Sequence, residues 1–271
     1  MTSATSTVAP VRESVLSLTG VSKRFGAVQA LTDVHLQVHA GEVVALVGDN
    51  GAGKSTLVKI ISGVYSSDDG VISVAGDKVA ITSPSHAQSL GIATVFQDLA
   101  LCDNLDVVAN LFLGQERRTA GVLDEVGMEK ESWRLLRSLS AKIPSVRIPI
   151  ASLSGGQRQT VAIARSLIGS PRVVLLDEPT AALGVAQTAE VLNLIERLRD
   201  QGLGVILISH NMADVQAIAD RIVVLRLGKN AAEFNVADAT TEQLVAAITG
   251  ASDNVVAERA RRAEDKGQHR G

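Results

Sequence analysis

The sequence predicts an α/β protein built on a largely parallel sheet, and three observations carry that prediction. Short apolar runs recur along the 271 residues at "VLSLTGV", "VHLQV", "EVVALVG", "VISVAG", "GIATVF", "RVVLLDE", "GVILIS" and "RIVVLRL". Several are separated by helical patterns, and strands alternating with helices imply parallel pairing. Aromatics make up 2% of a chain that is 46% hydrophobic, so the core falls to Val, Ile, Leu and Ala, which buried parallel strands and their covering helices favour. This length suffices for one large or two modest domains with a sizeable core.

In chain order, residues 1–14 are small and polar, with nothing to bury, and are expected to be disordered. The body begins near Val15. Val43 to Val47 reads as a fully buried strand and runs into "GDNGAGKST", residues 48–56, and then a helix from Ser55 to Ile61 with Leu57, Ile60 and Ile61 on its apolar side. A phosphate-binding loop needs glycines where N–H groups approach oxygens, a lysine for the β- and γ-phosphates and a hydroxyl for Mg²⁺. Gly48, Gly53, Lys54 and Ser55 fit that spacing. Gln97 follows the strand Ile92 to Phe96, either as a surface glutamine or as an amide ligating Mg²⁺ or a water and reporting the γ-phosphate.

Between "GIATVF" and "RVVLLDE" no strong strand is evident, and "DVVANLFLG", "MEKESWRLLRSL" and "GGQRQTVAIARSLIG" read as a helical insertion. Trp133, Leu136 and Leu139 are spaced for one packed face. "LSGGQ", residues 153–157, precedes an amphipathic helix. It is either an N-cap serine with flexible glycines or an anion site at a helix N-terminus. A second phosphate site is useful only if it closes over the nucleotide of another copy.

"VVLLDEPT" ends a buried strand in two acids, and unpaired buried charge is costly unless it has a task. Asp177 is placed to hold Mg²⁺ directly or through water, and Glu178 to act as general base. "ILISH" repeats the logic. His210 emerges where open α/β sheets place ligands and can donate to a γ-phosphate. From Ala251 onward the chain is charged and weakly patterned, a solvated tail in which Arg259, Arg261 and Arg262 alternate with acids.

The net charge of −3 and pI near 6.0 leave no electrostatic footprint for nucleic acid. A single cysteine, Cys102, reads as a small packing residue and suits a reducing compartment. No signal peptide and no apolar run of about 18 residues is seen, so the expectation is a cytoplasmic protein that reaches a membrane only through a partner.

These residues resemble the nucleotide-binding subunits of ATP-binding cassette (ABC) transporters over about residues 15–245, with "GDNGAGKST" (Walker A), Gln97 (Q-loop), "LSGGQ" (signature), "VVLLDEPT" (Walker B) and His210 (switch histidine) in family order. The resemblance implies a P-loop NTPase (RecA-like) core with an N-terminal antiparallel β-subdomain and an inserted helical subdomain at 98–168, the whole spanning 15–250. It implies ATP and Mg²⁺ as cofactors. Phe25 looks like the aromatic that stacks on adenine, and Gly48, Asn50, Gly51, Gly53, Lys54, Ser55 and Thr56 look like the nucleotide-binding loop. Ser154, Gly155, Gly156 and Gln157 would close on the nucleotide of a second copy. Ser55, Gln97 and Asp177 would hold Mg²⁺, and Lys54, Gln97, Glu178 and His210 would serve hydrolysis.

A narrower resemblance, carried by "GDNGAGKSTLVKIISGVY", "NLDVVANLFLG", "PTAALGV" and "SHNMADVQAIADRIVVLRLGK", is to the ATPases of monosaccharide importers. Its implied partners are transmembrane permease subunits, a second copy and, indirectly, an extracytoplasmic sugar-binding protein, with the chain on the inner face of the membrane. After Walker B the wider family has Ser-Ala-Leu-Asp, whereas this chain has Ala181-Ala182-Leu183-Gly184, as sugar importers often do. That departure puts cross-dimer coupling at this contact in doubt. Two rivals are an exporter motor and a soluble ABC ATPase of DNA repair or translation. The acidic balance and the lack of a coiled coil or tandem cassette argue against the latter.

Overall fold

The computed structural model describes residues 13–119 and 121–251; the tail arginines 259, 261 and 262 and residues 1–12 of the expected disordered segment lie outside the described residues. The chain opens with β1 (Ser14–Phe25), β2 (Val28–His39), β3 (Val43–Val47), α1 (Lys54–Ile61), β4 (Asp69–Val74), β5 (Asp77–Val79), α2 (Pro84–Ser89) and β6 (Ile92–Val95). It continues through α3 (Val107–Phe112), the short β7 (Arg118–Thr119) and β8 (Val122–Leu123), α4 (Glu125–Ser138) and α5 (Gly155–Ser166). The remainder alternates: β9 (Val173–Asp177), α6 (Val185–Asp200), β10 (Gly204–Ile208), α7 (Met212–Ile218), β11 (Arg221–Arg226), β12 (Lys229–Asn235) and α8 (Thr241–Thr249).

Two sheets organise these elements. A four-stranded antiparallel sheet has the order β2-β1-β4-β5, and a six-stranded sheet has the order β12-β11-β3-β10-β9-β6. In the latter β11, β3, β10, β9 and β6 run parallel, and β12 adds an antiparallel edge. Burial explains the continuous apolar runs of its central strands. Val43, Ala45 and Val47 of β3, Val174 and Leu176 of β9, and Val205 and Leu207 of β10 pack on the side of α3, α4, α5 and α6. Their neighbours Val44, Leu46, Val173, Leu175, Ile206 and Ile208 pack against α1 and the antiparallel sheet. Each such Val, Leu or Ile side chain, removed from water on its face of the sheet, contributes about 1.5–3 kcal/mol. Gly204 lets the two sheets meet, since a Cβ there would stand 2.7 Å from Val15 Cγ2 and 2.9 Å from Val38 Cγ1.

α3, α4 and α5 fall between β6 and β9, where the sequence places its helical insertion. Leu136 and Leu139 are buried, together with Leu135, while Trp133 is half-buried against the same core. The expectation of no strong strand in this stretch needs one refinement, the two-residue ladder β7–β8, which is exposed and too short for an alternating pattern. β5 and β12 also escape sequence reading, because "DKV" and "KNAAEFN" are polar edge strands held by pairing to a partner. Cys102 is half-buried, and its N–H donates to the buried Asn110 side chain at 2.7 Å. Asn110 Nδ2 in turn donates to the carbonyls of Cys102, Leu105 and Asp106, so α3 fixes the loop that follows Gln97.

Candidate nucleotide site

Strand register gathers the candidate residues. Leu46 of β3 pairs with Ile208 of β10, Ile208 with Asp177 of β9, and Leu176 of β9 with Val95 of β6. The C-terminal ends of four adjacent parallel strands are therefore level. Gly48, Asp177 with Glu178, Ser209 with His210, and Gln97 all leave along this one rim, the place where α/β sheets bind ligands.

The loop between β3 and α1 is shaped by backbone that only glycine tolerates. At Gly48 φ is +150°, and a Cβ would lie 2.2 Å from the Leu225 carbonyl oxygen. At Gly53 φ is +103°, and a Cβ would lie 2.6 Å from Leu31 Cδ2. Gly51 is also left-handed, at +80°, but faces open space. Gly53 is the N-cap of α1 and offers no side-chain acceptor, so the first N–H groups of α1 stay available to an anion at the positive end of the helix. Lys54 Nζ donates to the Gly48 carbonyl at 2.6 Å and the Asp49 carbonyl at 3.1 Å, which holds the ammonium over the loop. Burial lowers its proton affinity, and the charges of Glu178, Asp49 and Asp177 oppose that shift. Beside the loop lies a cleft of about 440 Å³ lined by Val28, Asn50, Gly51, Gly53, Lys54, Ser55, Thr56 and Leu227, among others.

Phe25 stands at the β1–β2 turn, paired across it with Val28, and is 41% exposed. Its ring meets Tyr65 edge-on with centroids 5.2 Å apart, and Lys23 Nζ stands 5.5 Å from its centroid. It is neither a buried core residue nor one of the residues that line the cleft, which its neighbour Val28 does.

At the rim, His210 Nδ1 lies 2.8 Å from Glu178 Oε2. Glu178 has φ +51°, an uncommon backbone state for a non-glycine residue, and its N–H donates to the Ile208 carbonyl at 2.9 Å. That turn aims the carboxylate toward His210. Burial, reinforced by the charge of Glu178, raises the Asp177 carboxyl above its ordinary value, while Lys54 and Lys59 act in the other direction. A cation between Asp177 and the phosphates would relieve both causes. The donors expected around it, the Ser55 hydroxyl, the Gln97 amide and the Asp177 carboxylate, are all hard oxygens, as Mg²⁺ requires. Among the described residues no group of three or more His, Cys, Asp or Glu is arranged to hold a metal.

Sequence reading missed the strut under this pair. Thr180 Oγ1 donates to Asp214 Oδ2 at 2.7 Å, and Asp214 is buried in the first turn of α7, whose positive end favours its charge. The turn after Glu178 is thus tied to the helix after His210. A carboxylate four residues beyond His210 on an otherwise apolar helix start was the available signal.

The "LSGGQ" residues stand elsewhere. Ser154 caps α5 in a capping box: the Gln157 N–H donates to Ser154 Oγ at 3.3 Å, and the Ser154 N–H donates to Gln157 Oε1 at 2.9 Å. The N-cap expected here is therefore present, and the cap leaves the glycines' N–H groups at the helix start. A Cβ on Gly155 would come 3.0 Å from Leu183 Cδ2, and one on Gly156 would come 3.2 Å from Gln187 Cβ, so these glycines sit against the turn around Gly184. Ser154 and Gln157 line a different cavity, of about 350 Å³, and no residue of this stretch lines the cleft at Lys54. Gly184 itself is the N-cap of α6 with no side-chain acceptor, and nothing lies within 4 Å of where its Cβ would be.

Residues 31–181 match the family model for ABC transporters. The chain is 48% identical over 215 residues to the xylose/arabinose import ATP-binding protein XylG of Sulfolobus acidocaldarius, covering 79% of this chain and 86% of that one. It is 42% identical over 250 residues to the fructose import ATP-binding protein FrcA of Rhizobium meliloti, covering 89% and 96%. Against the ribose import ATP-binding protein RbsA of Clostridium perfringens identity is 37%, and the match spans 48% of that longer protein. Among solved structures, an ATP-binding cassette of an ABC transporter in its ADP conformation superposes with a TM-score of 0.75 at 26% identity, over 87% of this chain and 95% of that one. A dimeric cassette in a post-hydrolysis state bound to ADP and Pi does so with a TM-score of 0.69 at 26% identity, over 82% and 98%.

Proposed function

The chain belongs to the ABC transporter family as an ATP-binding subunit, and from that premise we propose that it is the ATP-hydrolysing motor of a monosaccharide importer. The observation that carries the hydrolytic reading is the level rim that brings the Glu178–His210 pair to the same edge as the Lys54 loop. The sugar follows from relatives that are import ATP-binding proteins for xylose or arabinose and for fructose, both matched over most of their length.

In this reading the loop N–H groups and Lys54 hold the β- and γ-phosphates, and Phe25 packs on the base, where aromatic stacking contributes about 1–3 kcal/mol without choosing between ATP and GTP. Mg²⁺, held by Ser55, Gln97 and Asp177, would supply charge neutralisation at the phosphates. Glu178 orients the attacking water and takes its proton. His210, steadied by Glu178, donates to a γ-phosphate oxygen. Ser154, Gly155, Gly156 and Gln157 stand apart from this cleft in their own chain, so they serve the nucleotide of a second copy, and two copies sandwich two MgATP. The γ-phosphate makes contacts only in the closed pair, so ATP closes the dimer and hydrolysis opens it.

Among the described residues no helix is long and apolar enough to cross a membrane. In this reading, which rests on its likeness to import ATP-binding proteins, the chain works on the inner membrane face through permease subunits. A cleft of about 310 Å³, walled by Val64, Phe96, Leu99, Leu113 and Arg165, begins next to Gln97 and suits a cytoplasmic permease loop. The test is reconstitution with the permease in vesicles, with and without the extracytoplasmic binding protein and candidate monosaccharides. Phosphate release that depends on sugar and binding protein, with coupled uptake, is expected. Stimulation by a substrate offered from the cytoplasmic side, with no binding protein, would assign the chain to an exporter instead.

A further inference from the structure

The segment that carries Gln97 is gripped from the far end of the signature helix. Arg165, in the last turn of α5, donates from Nη2 to the Leu99 carbonyl at 2.6 Å and from Nη1 to the Ala100 carbonyl at 2.9 Å. These two carbonyls are its hydrogen-bond partners among the described residues, and no carboxylate there lies within ion-pair distance. A half-buried guanidinium whose hydrogen bonds go to carbonyls gives up solvation that an acid would ordinarily replace, and burial lowers its proton affinity, with the nearby Cys102 acting in the other direction. Its planar fork matches two parallel acceptors, which a lysine cannot do. Ala100 completes the grip with φ +46°, a left-handed state that presents its carbonyl to Arg165 and is uncommon for a residue bearing a Cβ.

The position joins three parts of the molecule. Arg165 is eleven residues along one helix from Ser154, about 16 Å at helical rise, and a packed helix moves as a rigid element. Leu99 and Ala100 are two and three residues beyond Gln97. Arg165 and Leu99 both wall the cleft beginning at Phe96.

We propose that Arg165 is a positioning residue for hydrolysis: by holding the Leu99 and Ala100 carbonyls it fixes Gln97 relative to α5, so that the signature and the γ-phosphate sensor move together. The inference rests on the reading above, in which Gln97 meets Mg²⁺ or the attacking water. Arg165 itself is not among the residues that line the Lys54 cleft.

A double-mutant cycle with Arg165→Met and Gln97→Ala, in the full chain reconstituted with its permease, separates the possibilities. Arg165→Met keeps the length and apolar stem but removes both donors. Its kcat should fall about tenfold, as a misplaced catalytic shell does, while KM for ATP stays within about twofold. In the Gln97→Ala background the same substitution should change kcat little, because the group it positions is gone. Arg165→Lys, which can reach one carbonyl at a time, should recover part of the loss. Unchanged kcat in Arg165→Met, or losses that multiply fully in the double variant, overturns the positioning role. If Arg165→Met does not fold, the cycle is run with Arg165→Lys under the same criteria. A silent Gln97→Ala removes the reading of Gln97 and this inference with it, whereas an impaired Gln97→Ala with full additivity removes the inference alone.

Discussion

At the scale of single residues, the proposed chemistry concentrates in one pair. Glu178 is held at a left-handed turn by its own N–H on Ile208, and its carboxylate meets His210 at 2.8 Å. Replacing it with glutamine retains the shape and most of the hydrogen bonding but not the base, and base catalysis contributes about 10²–10⁴-fold. Glu178→Gln should lose turnover by that factor, bind ATP as before, and accumulate as a dimer with MgATP on gel filtration; unchanged turnover would exclude Glu178 as the base. Much of this pair was legible in the sequence, because an acidic dipeptide closing an apolar run has few structural explanations. Thr180 with Asp214 and Arg165 with Leu99 were not. Each contact spans more than thirty positions, 34 and 66 respectively, and no local pattern announces it.

At the scale of elements, legibility followed burial. β3, β9 and β10 are covered on both faces and spell themselves out as unbroken apolar runs. β12 follows its partner β11 through a turn, and its polar sequence has no pattern of its own to read. What secures the junction between the sheets is equally hidden. Glu42, just before β3, is buried and accepts from the His39 N–H at 2.8 Å, the His39 ring at 2.9 Å and Arg221 Nε at 2.9 Å. Arg221 continues the chain of contacts to Glu233 on β12 at 2.6 Å. Burial acts to raise the Glu42 carboxyl, but its bonds to Arg221 and His39 outweigh it and hold the group below its ordinary range. A carboxyl lowered in the folded state stabilises above its unfolded pKa, and that stability is lost as pH falls through the folded value. Glu42→Gln should therefore cost roughly 3 kcal/mol at neutral pH, as breaking a buried pair does, and the gap to the parent should close as the pH drops below the carboxylate range. Denaturant melts across pH measure this; a gap that is constant with pH would show that packing, not charge, is what the substitution disturbs.

At the scale of the whole molecule, the two halves of the candidate site do not meet within one chain. The loop at Lys54 lines one cleft, while Ser154 and Gln157 line another, walled by α6 and the residues after α4. If each nucleotide is completed by a second copy, defects in the two halves should complement. Lys54→Ala removes the ammonium whose hydrogen bonds, among the described residues, reach only the Gly48 and Asp49 carbonyls, so the damage stays local. Gly155→Asp places a carboxylate at the start of α5 where the other copy's phosphate would sit, and within its own chain it presses only on a Leu183 methyl at 3.0 Å, the movable end of a side chain. Each variant alone has every site broken and should hydrolyse no ATP above background. In an equimolar mixture half of the dimers pair one variant with the other, and each such dimer has one intact site, a wild-type Lys54 loop facing a wild-type signature. With sites acting independently the mixture should recover about a quarter of the parental rate, as the two-fold arrangement requires. Recovery well below that value, with heterodimers present, would mean that both sites must be whole for either to turn over, a direct measure of the coupling that Gly184 leaves without an aspartate. A mixture as silent as its parts, despite heterodimers detected by mass, together with full activity of a monomeric chain, would place both halves of the site in one copy.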